Sequence, residues 1–149
     1  MPNAANIEKV IKLIEAADPE RCQMRLFAAH STCGTAYCLG GWTRVAMREA
    51  DGDPLCFYPQ YEVYNWLGLT PLADKILDDE RFPLFYLSNL DGRAVKGPHG
   101  SLSDFDELDP SLRKSIMLTV LRLTRDGHQQ PWTAAFKAHD LPTATTWNL

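Results

Sequence analysis

Most of the closely spaced reactive side chains of this chain fall in thirteen residues, His30-Ser31-Thr32-Cys33-Gly34-Thr35-Ala36-Tyr37-Cys38-Leu39-Gly40-Gly41-Trp42. Three chemistries suit an imidazole and two thiols so placed. The first is a metal site. His30, Cys33 and Cys38 would supply three ligands, and Cys22, Cys56 or His99 would complete the four that structural zinc takes. Closed sites of that kind usually show two paired motifs, and only one pair is present here. The second is a nucleophile. A cysteine just before or inside the first turn of a helix has its thiolate favoured by the helix dipole. It also needs a base, for which His30, His99, His128 and His139 are candidates, although none sits in a motif of its own. The third is a Cys33–Cys38 redox pair, which requires Cα atoms within about 7 Å.

Packing competes with all three. Free cysteine is among the most buried residue types and behaves as a small hydrophobe. On that reading Cys38, Leu39 and Trp42 line the core face of a helix, Gly41 allows close approach, and Thr35 is the N-cap. Packing is the expectation adopted. Cys33, Gly34, Thr35, Cys38, Gly41 and Trp42 form a structural motif, with no catalytic residue, no metal and no cofactor. Gly40 and Gly41 each cost a helix about 0.8–1 kcal/mol relative to alanine, so a neighbouring backbone or ring is expected against them.

The elements that position this motif read as helices. Ile7, Val10, Ile11 and Ile14 recur at helical spacing and predict a first helix over Asn6–Ala17, stopped by Asp18-Pro19. Residues 20–29 are ambiguous, with a short helix carrying Met24 and Phe27 inward as one option. The second helix is expected from Thr35 to about Glu49, ending at Asp51-Gly52-Asp53-Pro54. A third covers Gln60–Leu67 with Gly68 as its cap. A short fourth runs from Thr70-Pro71 to about Leu77. Asp109-Pro110 opens the clearest helix, which carries Leu112, Ile116, Val120 and Leu123 to Arg125 and closes at Asp126-Gly127. Pro131-Trp132 begins a last one to about Ala138. Residues 88–108 form a long connection, functional, mobile or folded as a hairpin around Arg93–Leu102. No run of alternating strands is evident. The fold class is therefore all-α or mostly α: a single compact domain over residues 1–149, of five to six short helices.

Composition narrows the partners. The 149 residues carry a net charge of −4. Lys and Arg are scattered without a stripe, so a nucleic-acid footprint is missing. No apolar run reaches membrane-spanning length, and the N-terminus lacks a signal-peptide pattern. A cytoplasmic location with reduced thiols is expected. The aromatics Tyr61, Tyr64 and Trp66 suit interface anchoring, although packing of a short helix competes for them. The acids Asp104, Asp106 and Glu107 suit a solvated or partner-facing run.

The segment Cys33-Gly34-Thr35-x-x-Cys38-x-x-Gly41-Trp42 resembles the signature of a group of uncharacterised small proteins of bacteria and their phages. There, Cys-Gly-Thr-x-x-Cys-x-Ala-Gly-Trp opens a buried helix. Leu67-Gly68-Leu69-Thr70, Ile76-Leu77 ahead of Phe82-Pro83, and Pro19-Glu20-Arg21 with Met24 are similar to further elements of that group. The likeness covers roughly residues 6–86, and the later helix by position only. It departs at Gly40, where alanine is usual, and at Phe82, where tryptophan is usual. The resemblance implies a fold and a phage or mobile-element setting, with host cytoplasm as the location, and no reaction. The expectation is a non-enzymatic accessory protein that binds a host or phage macromolecule, an inhibitor of a bacterial defence system being one form. The alternatives are a cysteine-dependent enzyme or zinc protein using Cys33, Cys38 and His30, and a small-ligand sponge.

Overall fold

A computed structural model describes residues 2–23, 28–31, 34–52, 60–69, 108–128 and 131–140. Among these residues five α-helices dominate: α1 (Ala4–Ala16), α2 (Leu39–Asp51), α3 (Gln60–Trp66), α4 (Pro110–Arg125) and α5 (Pro131–Ala138). A 3-10 turn, Pro19–Arg21, follows α1. A hairpin of β1 (Ala28–Ser31) and β2 (Gly34–Tyr37) precedes α2. The fold is mostly helical, as the periodicity predicts. No helix among the described residues is long and apolar enough to cross a membrane.

The helix ends follow from their residues. Asn3 caps α1, its Oδ1 accepting from the Asn6 amide at 3.1 Å, which moves the start ahead of the expected Asn6. Asp109 caps α4 by accepting from the Ser111 amide at 3.1 Å, and Pro110 occupies the first turn where no N–H is needed. The stops after α3 and α4 share one pattern. The Gly68 amide donates to Asn65 O and the Leu69 amide to Tyr64 O; the Gly127 amide donates to Thr124 O and the His128 amide to Leu123 O. Each is a Schellman motif with glycine in the left-handed region, φ 72° at Gly68 and 84° at Gly127.

One core joins the helices. Ile7, Val10, Ile11 and Ile14 of α1 face Ile116, Met117, Val120 and Leu121 of α4, with Leu39, Trp42 and Met47 of α2 and Val63 of α3 in the same cluster. Helix α4 packs on α1, on α5 and on the 3-10 turn; α2 packs on α1 and α3. Two buried threonines satisfy their hydroxyls within their own helices: Thr43 donates to Leu39 O at 2.8 Å and Thr124 to Val120 O at 2.7 Å. Outside the core, Glu8 pairs with Arg125 and Glu15 with Arg122, tying α1 to α4 across the surface.

The structure corrects the sequence at the motif. Thr35 does not cap α2; it lies in β2, opposite His30 of β1. The helix starts four residues later, at Leu39. Antiparallel pairing of Ala28 with Tyr37 through Ser31 with Gly34 holds these residues extended, and Thr35 is β-branched and suits a strand. The stretch 20–29 holds the 3-10 turn, an isolated parallel bridge between Cys22 and Tyr37, and the start of β1. The expected fourth helix at 70–77, Met24 and Phe27, and the connection 88–108 up to residue 107 lie outside the described residues.

Candidate functional site

Strand β2 divides the cysteine segment. Gly34 is at one end of it and Cys38 follows the other. At roughly 3.3 Å per residue these two Cα atoms stand about 13 Å apart. His30 pairs with Thr35, three residues before Cys38. The His30 backbone thus lies in β1, and Cys38 follows β2. Cys33, Cys56 and His99, and the side chain of His30, lie outside the described residues. Among the described residues, no three His, Cys, Asp or Glu side chains are grouped to hold a metal ion.

Cys38 is the residue before α2, with extended backbone and no capping hydrogen bond from its side chain. It is 0% exposed. Burial pushes its thiol up to about 11, with the Gly41 and Gly40 amides and the Arg44 charge pulling partly back. Cys22, after the 3-10 turn, is also 0% exposed. Burial raises it to about 11 as well, against Lys114, Arg113 and Arg21. Both are free thiols. A cysteine nucleophile working near neutral pH needs the opposite shift. Cys22 and Cys38 are protonated core side chains.

Trp42 completes this wall. The Tyr37 ring meets it edge-on, centroids 5.0 Å apart at 64°. The Arg21 guanidinium lies 5.1 Å from the centre of the indole, a cation–π contact that joins the 3-10 turn to α2. The indole Nε1 is buried with no acceptor among the described residues. Leaving such a donor unpaired costs about 1–3 kcal/mol, so packing must outweigh it.

A second group, which sequence reasoning missed, sits at the start of α4. Buried Arg113 donates from Nε to Cys22 O at 2.9 Å and from Nη1 to Leu108 O at 2.8 Å. Lys114 Nζ donates to Glu15 O at 2.9 Å and Ala17 O at 2.7 Å. These cations hold the end of α1 and the residue after the 3-10 turn against α4. Their position was the available signal. Two adjacent cations near a helix N-terminus oppose its dipole, which calls for compensation elsewhere. The carbonyls at the end of α1 supply it, as a lysine near a helix C-terminus often does.

The expected interface residues separate. Tyr64 is buried in the core, which corrects its assignment to a partner surface: Val63, Tyr64 and Leu67 form the inward side of a short helix. Trp66 is half-buried against that core, under the Lys9 ammonium at 5.8 Å, and its carbonyl accepts from Asn6 Nδ2 at 2.7 Å. The Tyr61 side chain and Asp104, Asp106 and Glu107 lie outside the described residues. No known protein family, curated protein or solved structure matches this chain.

Proposed function

We propose that this chain is a non-enzymatic accessory protein of phage or mobile-element origin that works by binding another protein, inhibition of a bacterial defence system being one form. The observation that carries the reading is the burial of Cys22, Cys38 and Trp42 together in the core. With those side chains committed to packing, the distinctive motif supports the fold, and recognition falls to the outside of the bundle. The likeness of Cys33-Gly34-Thr35-x-x-Cys38-x-x-Gly41-Trp42 to the bacterial and phage group supports the setting. Affinity capture from bacterial lysate with the full chain tests it. The expected result is one protein retained at constant stoichiometry by the wild type and by Cys33→Ser alike. Failure to retain any protein, together with near-stoichiometric zinc or a turnover that Cys33→Ser abolishes, would overturn it in favour of a cysteine-centred site.

A further inference from the structure

We draw no further inference here: the strongest candidate, the stack of Arg21 on the buried Trp42 indole where the 3-10 turn meets the first turn of α2, carries nothing because Arg21 is committed to that stack and has further partners, and nothing among the described residues shows what would face the indole N–H.

Discussion

The α1–α4 pair and the β2–α2 junction are built by opposite routes. In the pair, apolar residues repeat with the helical period over the full length of each element, and Asn3 and Asp109 cap the N-termini through their own side chains. Local sequence and tertiary packing agree there. At the junction, a good capping residue, Thr35, is drawn into a strand, and the helix begins at Leu39, after Cys38, without a side-chain cap. The contacts that decide this come from elsewhere in the chain: β1 pairs across from β2, Cys22 bridges to Tyr37, and Arg21 covers Trp42. A cap contributes about 1 kcal/mol, and pairing plus burial of an indole outweighs that. The lesson is that the cysteine-rich segment is dense in unusual residues because a chain reversal, a strand end and a helix start follow one another within it.

Core truncations should hurt both regions most. Ile116→Ala in the pair is expected to cost about 2–5 kcal/mol and Trp42→Ala at the junction about 3–5 kcal/mol, measured by urea unfolding. Trp42→Phe sharpens the contrast. It removes the unpartnered N–H while keeping a ring, so it should cost less than half as much as Trp42→Ala. Equal losses for the two Trp42 variants would mean that Nε1 has an acceptor.

The cations at the start of α4 link the two regions and come next. Arg113→Met strands Cys22 O and Leu108 O and should cost about 2–3 kcal/mol, as charged hydrogen bonds of this kind do. Lys114→Met should cost less, about 1–2 kcal/mol, because water can reach the end of α1 in its place. If Lys114→Met proved the more damaging, α1 rather than the 3-10 turn would be the segment that α4 secures.

The smallest effects separate the caps. Asn3→Ala should lose about 0.5–2 kcal/mol, with faster amide exchange in the first turn of α1. Thr35→Ala should leave exchange in the first turn of α2 unchanged, since Thr35 is not its cap. A speeding of Leu39 and Gly40 exchange in that variant would restore Thr35 to the capping role.

The helices were legible because their signals are local: stripes of Ile, Leu and Val, Asp or Asn ahead of the first turn, and glycine after the last. Pro110–Arg125 and Pro131–Ala138 match the sequence reading in full. The hairpin was not legible. Ala28 and Ala29 have little β preference, and their extended state comes from partners nine and seven residues away, Tyr37 and Ala36. The metal and redox readings of Cys33 with Cys38 fall on a residue outside the described ones. Of the residues between them in sequence, Gly34–Tyr37 form a strand.

Raised thiols also make stability depend on pH. The unfolded chain releases these protons near 9.0, the ordinary value, and the folded chain only near 11. Between those values the unfolded state binds fewer protons, so stability is fully present below about pH 9 and falls as pH rises toward about 11. Thermal melts should decline over this window less steeply for Cys38→Ala than for the wild type.

The most direct test is the alkylation rate of each cysteine in the native protein at pH 8, read by mass spectrometry beside a urea-unfolded control. Cys22 and Cys38 should remain unmodified while the protein is folded and react at once when it unfolds. Rapid labelling of Cys38 in the folded state would contradict its place in the core, and with it the view that the motif holds the bundle together.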